Sequence, residues 1–247
     1  MANGLGLRPL TARSVVLSTL LGLHPPRLGA RGFVRVGELF GIAEGTIRVA
    51  LSRMVASGDL VQTGGAYELS ERLRLRQARQ DEGRFPRTRP WDGTWEIAVI
   101  TAERRPAAER AALRQAMSEL RLAELREGTW LRPANLTRDS RPPIVERQCT
   151  FLSGRPEGDP ATLAATLWDL DGWASTAHDL RALLGKAGTL AERFTVSAAV
   201  RRHLLRDPLL PVPLLPDAWP GPDLREHYER YEAGFERVLA EHIFGGD

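Results

Sequence analysis

Thr46, Arg48, Ser52 and Arg53 fall on one side of the stretch EGTIRVALSRMVA, together with Val49. An arginine fork can donate two hydrogen bonds to the edge of a guanine, while serine and threonine hydroxyls contact bases or phosphates. The other side carries Ile47, Ala50, Leu51, Met54 and Val55 at spacings of three, four, seven and eight. That apolar stripe predicts a helix with its polar row turned outward, opening at Glu44 or Gly45 and stopping near Ser57, where Gly58 follows.

Such a row is useful only if neighbouring elements hold it. Residues 12–23 read as a helix with Val16, Leu20 and Leu23 on one face, ended by Pro25 and Pro26. A Gly/Arg-rich loop runs to Gly32, and residues 34–40 read as a short second helix closed by Gly41. Residues 60–69 read as a hairpin turning at Gly64-Gly65, because adjacent glycines suit the positive φ of a tight turn. Three short helices followed by a glycine-tipped hairpin make a winged helix-turn-helix. Its wing, Gln62, Thr63, Gly64 and Gly65, can reach a neighbouring backbone or minor groove, and Arg13 is a phosphate contact near the start of the first helix. A polar helix over 70–82 and the linker RFPRTRP, ending at Pro90, follow.

Charge points the same way. Residues 1–90 hold 14 arginines against 7 acidic residues, a net of +7, and residues 91–247 carry a net of −4. A basic end on an otherwise acidic chain suits a polyanion such as double-stranded DNA. No stretch reaches 18 uncharged apolar residues, so no membrane span is expected, and Met1 to Pro9 lacks the pattern of a secretory signal. A single cysteine, Cys149, allows neither an internal disulfide nor a thiolate metal cluster. The five histidines, His24, His178, His203, His227 and His242, show no zinc-protease spacing, and no nucleophile elbow, phosphate loop or dinucleotide fingerprint is present. No metal, no cofactor and no enzymatic activity are expected, in a cytoplasmic protein.

Beyond Pro90 the pattern changes. Trp95 to Thr101 reads as a strand, Pro106 to Leu120 as a helix burying Leu113, Ala116, Met117 and Leu120, and Gly128 to Leu131 and Cys149 to Leu152 as further strands. Strand, helix, then strands fits a small α+β sandwich. Residues 160–205 read as mostly helical. Asp207 to Pro222, with six prolines, reads as an extended strap, and Asp223 to Phe244 as an amphipathic helix burying Tyr228, Tyr231, Phe235 and Val238.

The segment GIAEGTIRVALSRMVASGDL, residues 41–60, resembles the recognition-helix region of the PaaX family of phenylacetic-acid catabolism repressors. WDGTWEIAVIT, residues 91–101, is similar to the opening of that family's central domain, and DPLLPVPLLPDAWPG, residues 207–221, to the proline-rich motif of its C-terminal domain. The three stand in the family's order. The resemblance implies an α+β protein in three parts: a winged helix-turn-helix with its linker over 1–90, a ferredoxin-like dimerisation domain over 91–158, and a mainly helical effector domain over 159–247. It implies a bacterial homodimeric repressor, on the nucleoid when bound to operator DNA, and released by an acyl-CoA effector such as phenylacetyl-CoA.

An aryl-acyl ligand wants an aromatic-lined pocket, and its phosphates want arginines. Trp168, Trp173, Arg193, Arg201 and Arg202 are the residues expected to supply them. Two other readings stay open. A metal-dependent nuclease in the central domain would need gathered acids, whereas Asp92, Glu96 and Glu103 are scattered along the first strand and its flanks. A winged helix can also serve protein contacts alone.

Overall fold

The computed structural model describes residues 10–138 and 140–244, the side chains of Phe235, Glu236, Leu239, Ile243 and Phe244 excepted. The chain divides into two compact units. The first gathers residues up to Arg84 with Ser175–Leu205 and the segment from Pro220; the second comprises Phe85–Ala174 and Arg206–Trp219.

In the first unit, helix α1 (Ala12–Gly22) leads to strand β1 (Arg27–Gly29), helix α2 (Ala30–Leu39) and helix α3 (Glu44–Ala56). Strands β2 (Leu60–Thr63) and β3 (Ala66–Leu69) form the hairpin, and helix α4 (Glu71–Arg84) follows. The sheet runs β1-β3-β2, all antiparallel. The short strand β1 and the first turn of α2 replace part of the loop expected to Gly32. Leu28 explains the strand: it is buried in the core opposite Tyr67.

The core holds Val16 and Leu20 of α1, Phe33 and Val36 of α2, and Ile47, Leu51 and Met54 of α3, the stripe that the spacing predicts. Helices α2 and α3 approach closely at Gly37, where a Cβ would stand 2.6 Å from Cγ1 of Ile47. Two later helices complete this unit: α9 (Leu190–Leu204) packs on α4 and contributes Phe194 to the core, and α10 (Gly221–Phe244) packs on α2 and α9. Helix α4 is therefore not a free polar helix. Its Leu73, Gln77, Gln80 and Gly83 are buried, and Arg84 makes a bidentate pair with Glu229 of α10 at 2.8 and 2.9 Å. Along α10 the buried row runs through Leu224, Tyr228 and Glu232 in steps of four. That row drifts around the helix and leaves Val238, expected inside, 41% exposed. Phe235, expected beside it, lies outside the described side chains.

The second unit follows a βαββαβ succession: β4 (Trp95–Ile100), α5 (Ala107–Glu119), β5 (Ala123–Arg126), β6 (Thr129–Pro133), α6 (Pro143–Gln148) and β7 (Cys149–Gly154). The antiparallel sheet runs β5-β6-β4-β7. Side chains alternate across it, as a pleated strand requires. Ala98, Trp130 and Cys149 join Leu113, Met117 and Val145 on one face. Trp95 and Leu131 meet Ala164 of α7 (Pro160–Leu167) and Leu210 and Leu214 of the proline-rich strap on the other. Arg132, fully buried, donates through Nη2 to Asn135 Oδ1 at 2.9 Å and to the Leu209 carbonyl at 3.3 Å, tying the strap to β6. The remaining helix, α8 (Leu170–Lys186), begins in this unit and continues into the first.

Candidate nucleic-acid interface

The outward row of α3 is placed from its two ends. Positive φ at Gly41 (66°) and Gly58 (70°) turns the chain in and out of the helix, conformations that a side chain would strain. Between them Thr46, Arg48, Ser52 and Arg53 are all exposed, and Val49 beside them is 50% exposed. Val49 belongs in the candidate site, since an apolar group on a reading helix can meet a thymine methyl. Its place on the outward face was visible in the spacing, but a search for polar groups passes over it.

Arg48 donates through Nε to Glu44 Oε1 at 2.6 Å, one turn back. Both side chains are more than half exposed, and a surface pair of this kind contributes about 0.3–0.5 kcal/mol, little enough for a phosphate or base to displace.

A shallow groove of about 560 Å³ lies between this row and the start of α1, lined among others by Thr11, Arg13, Thr46, Val49, Arg53 and Ser57. The start of α1 is fixed by a capping box. Thr11 Oγ1 accepts from the Ser14 amide at 3.1 Å, and Ser14 Oγ accepts from the Thr11 amide at 2.8 Å. That cap sets Arg13 at the groove's edge, where its Nη2 donates to Asp59 Oδ2 at 2.7 Å. Arg72, in the first turn of α4, donates to the other oxygen, Oδ1. Burial alone would raise the Asp59 pKa, but the Arg13 hydrogen bond and charge, with Ser57 and Arg72, overcome it and hold the carboxyl below its ordinary value.

At the hairpin tip Gly64 (φ 57°) and Gly65 (φ 77°) both take the positive φ of a type I′ turn. Gln62 and Thr63 are exposed beside them. Arg27 of β1 joins this end, donating to the Thr63 carbonyl at 3.4 Å and pairing with Glu68 at 3.5 Å. It went unnoticed in the sequence because residues 27–29 lack a strand pattern of their own. The structure thus brings Arg13, Thr46 and Arg53 to one groove, keeps Arg48 and Ser52 on the same exposed face of α3, and carries Gln62, Thr63, Gly64 and Gly65 at the hairpin tip.

The residues expected to hold an effector are divided between the units. In the second, Trp168 is half-buried with its ring 6.5 Å from Trp95, and Trp173 is buried in a stack on Trp219 at 4.6 Å. In the first, Arg193 is exposed and donates to the Ala187 carbonyl at 3.3 Å, Arg202 is half-buried, and Arg201 is buried with no hydrogen-bond partner at its Nε. As for a metal centre, Glu96 is engaged by Arg138 at 2.9 Å, and Asp92 accepts from the Thr94 amide. No group of three His, Cys, Asp or Glu suited to a metal ion occurs among the described residues.

Residues 11–73 match the PaaX-like protein family, residues 88–154 the PaaX protein central Cas2-like domain, and residues 173–244 the PaaX-like protein C-terminal domain. The chain belongs to the PaaX family. A solved structure similar to this PaaX-family chain is that of the uncharacterized protein Rv0674 from Mycobacterium tuberculosis. It is 46% identical, covers 95% of this chain and 99% of its own, and superposes with a TM-score of 0.79. No curated protein matches. PaaX membership supports a transcriptional regulator that binds DNA, and the candidate groove falls inside the matched segment 11–73. No described helix of this PaaX-family chain is long and apolar enough to cross a membrane.

Proposed function

We propose that this chain is a transcriptional repressor that reads operator DNA through a winged helix-turn-helix, with α3 as the recognition helix and the β2-β3 hairpin as the wing. The observation that carries the reading is the exposed row Thr46, Arg48, Val49, Ser52 and Arg53, standing over a buried stripe and flanked by a glycine-tipped hairpin. A helix of this width enters the major groove and presents such a row to base edges. The 1–90 segment is then the DNA-binding domain with its linker. The βαββαβ unit, over 91–158, is a ferredoxin-like dimerisation domain, and residues 159–247 supply the effector response. A homodimer sets two recognition helices on successive half-sites.

The effector we assign is an acyl-CoA, phenylacetyl-CoA first, with Arg193 on the exposed face of α9 meeting its phosphates. Such a ligand releases DNA only by binding the DNA-incompetent arrangement more tightly.

Fluorescence anisotropy with the DNA upstream of the chain's own gene tests the reading. Sequence-selective binding is expected, weakened roughly 5- to 150-fold by Arg53→Ala if that arginine reads a base, and abolished by the thioester. Selective binding indifferent to phenylacetyl-CoA would move the effector to another acyl-CoA. Absence of selective binding to any upstream fragment would remove the regulator reading.

A further inference from the structure

We propose that Arg13 and Arg72, tied to the two oxygens of one Asp59 carboxylate, form a two-arginine clamp for a DNA backbone phosphate, with Asp59 as its positioning residue. The proposal rests on the DNA-binding reading above and assigns Arg72 a place in it.

The exposure of the three groups is the first observation. The Asp59 side chain is 6% exposed, while those of Arg13 and Arg72 are 62% and 69% exposed. An ion pair built for the interior would bury all of its members; here a buried anion anchors two cations that remain in water. Each guanidinium has five N–H donors and engages Asp59 through a single terminal nitrogen. Both therefore keep further N–H donors on side chains that are mostly in water, and a planar fork suits the oxygens of a phosphate.

Charge is the second. Two guanidiniums on one carboxylate carry a net +1, and two neighbouring cations repel each other until another anion arrives. A phosphate supplies that anion, so the cluster is more complete with it than without.

Placement is the third. Asp59 is itself held by backbone, its amide donating to the Met54 carbonyl at 2.9 Å and its carbonyl accepting from Ser70 at 3.0 Å. It sits where α3 ends, the hairpin closes and α4 begins, and Arg13 comes to it from the start of α1. Arg13 also lines the groove beside Thr46 and Arg53. A phosphate seated on the clamp is thereby set at a fixed offset from the base-reading row, which is how backbone contacts establish register.

The test uses the full-length protein with the upstream duplex and a random-sequence duplex, measuring the slope of log affinity against log salt together with the melting temperature. Arg72→Gln keeps a donor for Asp59 and removes the charge; it should lower the slope by about 0.9, the loss of one phosphate contact, on both duplexes. Arg72→Lys should restore the slope. Asp59→Asn keeps both cations but frees them, so affinity for the upstream duplex should fall several-fold while random-sequence affinity holds or rises. A purely structural Asp59 would weaken both duplexes alike, which would refute its positioning role. An unchanged slope in Arg72→Gln, whatever its melting temperature, overturns the clamp. Should Arg53→Ala still cost selectivity in that case, the regulator reading survives without it; if the wild-type protein selects no duplex, both fall together.

Discussion

Replacing Gln77 by leucine should destabilise the first unit by about 2–3 kcal/mol. Gln77 lies on α4, buried, with its Nε2 donating to the carbonyls of Leu20, Leu21 and Leu23 at 3.3, 3.1 and 2.9 Å. These carbonyls end α1, and the last carbonyls of a helix have no partner within it. The residue that would serve Leu21 from four positions on is Pro25, which has no N–H. Neither a basic residue in the last turn nor a left-handed glycine cap compensates. Leu20 keeps another donor, the Leu23 amide at 3.2 Å, so the loss falls on Leu21 and Leu23. An acceptor left buried and unsatisfied costs about 1–3 kcal/mol. Leu21 should stand near the middle of that range and Leu23, half-buried and within reach of water, at its lower end. Leucine is close to glutamine in volume and adds no cavity. For a chain of this size the melting temperature should fall by ~4–12 °C, followed by far-UV circular dichroism. A Gln77→Leu variant melting within about 1 °C of wild type would refute the reasoning, since it would mean that the α1 carbonyls do not depend on α4.

Three further outcomes are expected. Gly37→Ala should destabilise although alanine is the better helix former, because the new methyl meets Cγ1 of a fully buried Ile47 that cannot swing away. Overpacking of about 1–3 kcal/mol should exceed the helix gain of up to ~1 kcal/mol, and urea denaturation at or above the wild-type midpoint would contradict it. With its folded pKa held below the unfolded value, Asp59 contributes stability above about pH 4 that is lost as pH falls through the folded pKa. Melts from pH 6 to pH 2 should therefore decline less steeply for Asp59→Asn than for wild type, and parallel declines would count against the pair. Burial pushes the Cys149 thiol upward, against a smaller opposing pull from Arg105. A thiol reagent at pH 8 should label the native protein far more slowly than the protein in denaturant, and equal rates would place Cys149 at the surface.

The parts legible in the sequence were those with a complete local period. Ile47, Leu51 and Met54 could be read as a buried stripe because all of their spacing lies within one helix, and Gly64-Gly65 announced the turn because a type I′ geometry demands positive φ twice. Strand β1 was illegible: its three residues, one of them buried, carry no alternation and gain their conformation only by pairing with β3. The short α6, beginning at Pro143, was missed for a similar reason, six residues being too few to show a period. Helix α4 misled in a different way. It reads as a polar helix, yet Gln77 and Gln80 are buried, because α1 and α9, on which α4 packs, lie far away in the chain. In the candidate site the arginines of α3 were legible from one helix, whereas Arg72 gains meaning only when Asp59 brings it beside Arg13.

The first unit is closed by the last helix of the chain. Its three stretches are separated by the two that form the second unit. During translation α1, α2, α3 and α4 leave the ribosome early, but α9 and α10, which pack on α4 and α2, follow more than a hundred residues later. At roughly 5–20 residues per second, the 160 residues from Arg84 to the end of α10 take about 8–32 s to synthesise. Throughout that interval α2 and α4 lack the helices that pack on them, and the first unit gains its full packing only once α10 has been made.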